Sequence, residues 1–496
     1  MKNSKVIQLL RTFNSEELKR LDDFLCSPYF NKKTNVVKLF KALKKFSPLY
    51  DSADLNEENI YKMVFPGKSY NYGTMKNLIH EFSTLAKEFM AYQDFGEDHF
   101  LKKLDVLYGL ASRNLNKFFE PILKETEQAY RTFENLGDEY FKNNFELEIV
   151  KLYSHYRTGR AELEPGKRIE LAQSSATYLI CYSLIVSFKL CHDIMTASPK
   201  KDFDYRATLA YKFVESVGTM KLMDSIKACV PEFYPVIAIY FNRFMIASDL
   251  DDDDTYYFEL KKLIYENLVK FSKAEKFNLI VQIESSCTEK INKGRDFFND
   301  LHEIYNLKLK NNIYTLNDSD FFPVAGFRKI VINAIYLKKF EWTENFIKKY
   351  IHQLHEEDRD NTLYFSRALL NFAKGSYNKT LEDISMVKFK DYVIKFYAWS
   401  LKLKALFELG YFEDAFYALD SFNHSVKDDN KSPEQARKKV SNFLSLYRKI
   451  LKLKLEPDKI GNDEMIFLNN KINSTEVLDN IWLKSKINEL HTGVKS

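Results

Sequence analysis

Three short stretches carry residue types that could do chemistry. Gly67-Lys68-Ser69 has the closing tripeptide of a phosphate-binding loop, in which backbone N–H groups and a lysine grip phosphate oxygens at the start of a helix. That loop needs another glycine five positions before the second one, and Lys62 stands there, so a plain turn is expected. His352 and His355 lie three apart in HQLHEED and could face one metal ion from a helix, with Glu356 or Asp358 nearby. No third ligand is evident, and solvated side chains at a helix end are expected. The acidic run Asp251 to Asp254 lacks the glycine and the terminal glutamate of a calcium loop. A solvated loop capping a helix from Thr255 is the expectation there.

No G-x-S-x-G, H-E-x-x-H or kinase signature is present, and no cysteine and histidine share a recognisable catalytic context. No catalytic residue, cofactor or metal site is therefore expected, which favours a non-enzymatic protein over an enzyme with an unfamiliar site. The five cysteines, Cys26, Cys181, Cys191, Cys229 and Cys287, form no C-x-x-C pair and read as reduced, buried thiols in a cytoplasmic protein. The N-terminal apolar stretch is too short for a signal peptide. The apolar run Thr177–Phe188 stops at Lys189, short of the ~20 residues of a membrane span, and is expected to be a buried helix without a membrane role.

Charge gives a weaker pointer. Lys and Arg number 74 against 69 Asp and Glu, a mild net +5 that carries no strong claim about nucleic acid. The excess sits at the two ends, where lysines of 32–46 and Arg437, Lys438, Lys439, Arg448, Lys449, Lys452 and Lys454 could track phosphates. A nucleic-acid-associated regulator is thus the alternative to a protein-binding one.

The elements that must position these residues are helices. Only 14 glycines and 11 prolines occur in 496 residues, too few for the turns of a β-rich chain, while 41 Phe and 31 Tyr supply apolar surface to bury. Asn14 with Glu17 forms a capping box for a helix through Leu18, Leu21, Phe24 and Leu25. Asn56 caps another, and Met75, Leu78, Ile79, Phe82, Leu85, Ala86 and Phe89 make one stripe of a helix over 74–92. Residues 1–95 are expected to form an N-terminal helical bundle, with 93–98 as its boundary. Helices follow over 97–430, with turns at 135–138 and 165–167. Ser432-Pro433 opens a helix over 434–455, and after a polar loop a last helix near 476–490 completes capping helices over 431–496.

A repeat of 35 residues appears at about 326–425. FEWTENFI, GSYNKTLEDI and GYFEDAFYAL align with Phe340, Gly375 and Gly410 as equivalents and Trp342, Tyr377 and Phe412 two positions on. Each segment opens a helix that follows another, over 327–338, 362–374 and 396–409. These units resemble tetratricopeptide repeats: Trp399 and Tyr364 stand at the early aromatic position, Gly410-x-Phe412-x-x-Ala415 matches the turn, and Leu419 and Ile384 lie on the packing face. Thr380 and Asn345 replace the alanine after the turn, and Phe340 replaces the first glycine. The whole chain also resembles a group of bacterial all-helical proteins that share S-P-Y-F-N (27–31) and F-E-W-T-E-N-F-I (340–347), a resemblance that brings no activity with it.

The tetratricopeptide resemblance implies an all-α fold, a right-handed helical-hairpin solenoid whose concave groove binds a protein or peptide partner. Its groove would be lined by Phe327, Ile330, Thr362, Phe365, Tyr397, Ser400, Lys404 and Glu408. The family's clamp for peptide carboxylates uses lysine, arginine and asparagine, whereas Phe365 and Leu369 stand here, so carboxylate-end recognition is not expected.

Overall fold

The computed structural model describes residues 1–97, 99–130, 135–197, 203–216, 219–248, 253–317, 319–389, 391–456 and 462–493. Among them every regular element is helical, and helices pack mostly on their neighbours in sequence. The chain divides into two compact units, Met1–Phe133 with Asp138–Val186, and Glu134–Gly137 with Ser187–Ser496.

The first unit contains α1 (Lys5–Leu10), α2 (Ser15–Cys26), α3 (Thr34–Lys44), α4 (Glu57–Val64), α5 (Tyr72–Glu97), α6 (His99–Ser112), α7 (Asn116–Tyr130), α8 (Asp138–Arg157), α9 (Arg160–Leu163) and the first two-thirds of α10 (Pro165–Ala197). The Asn14 capping box is formed in both directions: its side chain accepts from the Glu17 N–H at 2.9 Å, and Glu17 accepts from the Asn14 N–H at 2.7 Å. Met75, Leu78, Phe82, Ala86 and Phe89 are buried along α5, against Leu21, Leu25, Phe40 and Leu43. Residues 93–97, read as a boundary, are the last turn of that helix; residue 98 lies outside the described residues. Pro165-Gly166 starts α10 rather than making a turn, because proline at the first helical position gives up an N–H that has no partner there anyway. Lys189 does not end α10, which runs for 33 residues and is by length and composition apolar enough to cross a membrane. Cys181, Leu184, Ile185 and Phe188 on it are buried, whereas Ile169, Leu179, Ile180 and Leu190 are exposed.

The second unit continues with α11 (Leu209–Ser216), α12 (Thr219–Cys229), α13 (Tyr234–Ala247), α14 (Thr255–Asn267), α15 (Lys273–Asn292), α16 (Phe298–Lys310), α17 (Val324–Tyr336), α18 (Phe340–Tyr350), α19 (Glu356–Ala373), α20 (Tyr377–Ser385), α21 (Tyr392–Glu408), α22 (Phe412–Lys427), α23 (Glu434–Leu455), α24 (Asn462–Ser474) and α25 (Asn480–Gly493). One turn joins α17 to α18, α19 to α20 and α21 to α22. Gly375 and Gly410 adopt φ +77° and +76°, and Lys338 adopts +55°. At each, the turn residue donates its N–H three residues back and the next residue donates five back: Lys338 to Ile335 and Lys339 to Ala334, Gly375 to Phe372 and Ser376 to Asn371, Gly410 to Phe407 and Tyr411 to Leu406. This is the left-handed helix ending that satisfies otherwise orphaned carbonyls.

That equivalence corrects the sequence alignment of the first pair by two residues. Lys338, not Phe340, corresponds to Gly375 and Gly410, so the spacing is 37 and then 35. Phe340, Tyr377 and Phe412 each start the second helix. The buried position against the first helix is filled by Thr343, Thr380 and Ala415, all at 0% exposure, while Asn345 is exposed. A lysine in the left-handed region hides the turn from a search for glycine.

Beyond residue 430, α23 has the expected bounds, but the stretch read as a polar loop contains α24, whose Leu468 and Ile472 reach the same core as Leu483 and Ile487 of α25. The two buried apolar residues of α24 stand four apart, one helical turn, and the helix packs on α25. The cysteines are free, and Cys26 and Cys229 are exposed where buried thiols were expected.

Two predictions follow from the helix packing. Nothing lies within 4 Å of a Cβ added at Gly410 or at Gly137. Gly410→Ala therefore meets only the left-handed backbone penalty, roughly 1–2 kcal/mol, and Gly137→Ala, at ordinary φ, loses no stability; denaturant midpoints of the two variants compare them directly. His302 on α16 is buried edge-on to Trp342 at 4.6 Å. Burial, helped by the nearby Lys339 charge, holds its imidazole down to about 4. Its folded value lies below the unfolded one of about 6.5, so the stabilisation is complete above pH 6.5 and is lost as pH falls towards 4, on the order of 3 kcal/mol in all. His302→Phe should flatten stability over that window; an unchanged pH profile would refute the assignment.

Candidate functional site

The sequence-derived groove residues lie on α17, α19 and α21, and most are inside the fold. Phe327 and Ile330 are buried, with the Phe327 ring 4.7 Å from that of Phe346 on α18. Thr362 is buried, and Phe365 packs with Ala368, Ile384, Ile394, Ala398 and Leu401. Ser400, Lys404 and Glu408, spaced by four, do share one face of α21, as helical geometry requires. The chain itself covers that face. Asp479 accepts from the Ser400 hydroxyl and pairs with Lys404 at 2.9 Å. Glu408 accepts from Trp482 Nε1 at 2.8 Å and from Lys486 Nζ at 3.0 Å. Tyr397 alone of the eight carries an exposed ring, at 43%. The covering residues were missed because spacing shows which residues share a face and not what lies on it. The i, i+3, i+7 spacing of Asp479, Trp482 and Lys486 was the available signal.

An open hollow lies over a neighbouring helix pair. Over α19, between α18 and α20, a cleft of about 570 Å³ is lined by Glu344, Ile347, Lys348, Ile351, His352, Leu363, Arg367, Leu370, Asn371, Lys379, Glu382 and Asp383. Ile347, Ile351 and Leu370 are buried and form its floor. Asp383, also buried, is satisfied by Asn371 Nδ2 at 2.8 Å and by the Arg367 guanidinium at 3.3 Å. Lys348, His352, Lys379 and Glu382 are exposed on the rim, and Glu344 is tied to Lys374. The next cleft, about 330 Å³, lies over α21 and is lined by Leu381, Ile384, Val387, Phe389, Ala398, Trp399, Lys402 and Leu406, among others. Trp399 stacks on Phe422 at 5.5 Å, and Lys402 stands 5.2 Å above its ring. Ala398, Lys402 and Leu406 are offset by two residues, about 200°, from Ser400, Lys404 and Glu408, so they occupy the opposite side of α21.

The other sequence candidates separate. His352 is on the cleft rim, while His355 precedes α19 with its ring 5.0 Å from Phe321. Among the described residues no three His, Cys, Asp or Glu side chains gather as a metal set. Gly67 makes a left-handed turn after α4, and Lys68 lies 5.8 Å from the Phe65 ring. Asp251 and Asp252 are outside the described residues. Asp253 accepts from the Thr255 N–H at 3.1 Å, but Asp254 is buried rather than solvated, paired with both Lys290 and Arg295. On α23, Lys439 pairs with Glu476 at 3.3 Å and Arg448 with Asp420, which neutralises part of the basic face. On α3, Lys44 reaches Asp22 at 3.5 Å.

No protein-family model matches the chain, and neither curated proteins nor solved structures give a match.

The cover on α21 yields a prediction. Lys404 and Asp479 are 10% and 20% exposed, so Asp479→Asn, which tolerates the left-handed backbone at that position, strands a buried ammonium at a cost of about 3 kcal/mol. Pairing it with Lys404→Met should restore most of that loss. Proteolysis within 475–493 is expected to speed up in the single variant and return towards wild type in the double; equal rates in all three would show that the pair does not hold the cover down.

Proposed function

We propose that the protein is a non-enzymatic helical-repeat scaffold of tetratricopeptide-like pairs, and that it binds a protein or peptide partner. The observation that carries this reading is the cleft over α19, with its apolar floor between rim charges of both signs. That is the make-up of a peptide groove: apolar pockets supply binding free energy, and flanking charges set direction and choice of partner. The adjoining hollow over α21, with the half-buried Trp399 at its centre, extends the same surface along the next pair. A bound segment spanning both would place two apolar side chains about one helix pair apart. The face carrying Ser400, Lys404 and Glu408 is not part of this surface, since residues 479–486 occupy it.

The test is affinity capture of the full-length tagged protein with nuclease present, at 50 and 200 mM salt, comparing wild type with Lys348→Glu/Lys379→Glu. Both lysines are exposed, so the folded state should keep its unfolding midpoint. A protein partner retained by wild type at both salts and lost by the double variant is the expected result. A partner bound equally by both would remove the cleft from the interface. Capture of nucleic acid that falls steeply with salt would replace the reading with one centred on the basic helices.

A further inference from the structure

We propose that Arg243, with His192 beside it, binds a small oxyanion, the phosphate or carboxylate group of a soluble ligand. Arg243 lies in the middle of α13 among Ile239, Tyr240, Phe241, Phe244 and Met245, all buried, and is itself 6% exposed. Its guanidinium forms no ion pair and donates no hydrogen bond among the described residues, and its Nε is buried with no acceptor. The carboxylates in its field are turned elsewhere. Glu275 pairs with Lys189 at 3.1 Å and accepts from the Tyr240 hydroxyl. Asp193 faces His192 Nδ1 at 3.5 Å with its side chain 71% exposed. The Tyr240 ring stands 5.5 Å from the guanidinium carbon, and Glu275 and Asp193 attract it without pairing with it.

This leaves a buried charge with no counter-charge in direct contact among the described residues. Arginine keeps its proton throughout the range a protein meets, so it cannot escape burial by neutralising as a lysine or a carboxylate would. A cation–π contact returns less than desolvating a guanidinium costs. An anion from outside resolves the mismatch, and the fork of parallel N–H groups fits a carboxylate or one face of a phosphate. His192 stands three residues after Lys189 on the same side of α10. Burial, with the Arg243 charge behind it, holds its imidazole below the ordinary histidine range, leaving a neutral ring able to add one hydrogen bond. The His192 side chain is partly open to solvent, which gives the ligand its approach. The site is independent of the peptide cleft.

Thermal unfolding of the full chain in sodium phosphate, sodium acetate and sodium chloride at matched ionic strength tests the site, with Arg243→Gln, Arg243→Met and His192→Gln as variants. Phosphate or acetate should raise the wild-type midpoint by about 2–4 °C over chloride. His192→Gln should lose part of that rise and Arg243→Gln all of it. The salt that produces the rise identifies a phosphoryl or a carboxylate ligand. In chloride, Arg243→Met should unfold at a higher temperature than wild type, because it removes an uncompensated buried charge. Equal wild-type midpoints in the three salts, with no heat on calorimetric titration of phosphate or acetate, would overturn the proposal even if every variant failed to fold. So would a rise that Arg243→Gln retains.

Discussion

The packing of the second unit depends on how the first helix of each pair ends. A helix leaves its last carbonyls without partners, and a chain that must reverse at once has little room to supply them. Crossed hydrogen bonds around one left-handed residue do so at Lys338, Gly375 and Gly410. The same pattern occurs at Gly294, where the glycine donates to Ile291 and Arg295 donates to Lys290, and in the first unit at Asn114 and Leu115. At Lys338, Gly375 and Gly410 the second helix starts two residues after the turn, and the residue five after the turn is buried. Thr343, Thr380 and Ala415 are the small side chains that this position accepts. Their size lets the pair close, and the closed pair raises the walls of the clefts above.

Where local chemistry alone sets an element, the sequence was readable. Asn14, Asn56 and Ser432-Pro433 announce helix starts through groups within three residues of one another, and all three starts are where expected. The stripe on α5 was equally plain, since one face of a long helix needs no knowledge of its neighbour. What failed depended on distant residues. Lys338 takes a conformation that lysine seldom adopts, held there by the two helices it joins, and the first helix pair was therefore aligned two residues out. Helix α24 has weak amphipathicity and is held by its packing on α25. Asp254 looked like one more solvated acid until Lys290 and Arg295, more than thirty residues on, closed over it.

The candidate groove shows the same divide at the level of function. The tetratricopeptide resemblance put Ser400, Lys404 and Glu408 on a face that a partner would line. In the fold these polar groups answer to Asp479, Trp482 and Lys486 of the same chain. Buried polar residues are costly unless matched, so a run of them along one face signals that a complementary run exists. The sequence could not tell whether that complement belonged to this chain or to another.

The contrast between Asp383 and Arg243 extends that logic. Both are buried charges on helices of the second unit. Asp383 sits in the wall of an open cleft yet has Asn371 and Arg367 to satisfy it, so the cleft can offer its apolar floor without an exposed anion at the bottom. Arg243 sits among apolar side chains with no such pair, next to carboxylates already committed to Lys189, Tyr240 and His192. A fold that matches its buried charges at Asp254, Asp383, Lys404 and Lys486 has the means to match one more. At Arg243 no paired partner is found among the described residues, which makes an unanswered charge more informative about ligands than any surface on which every group is already paired.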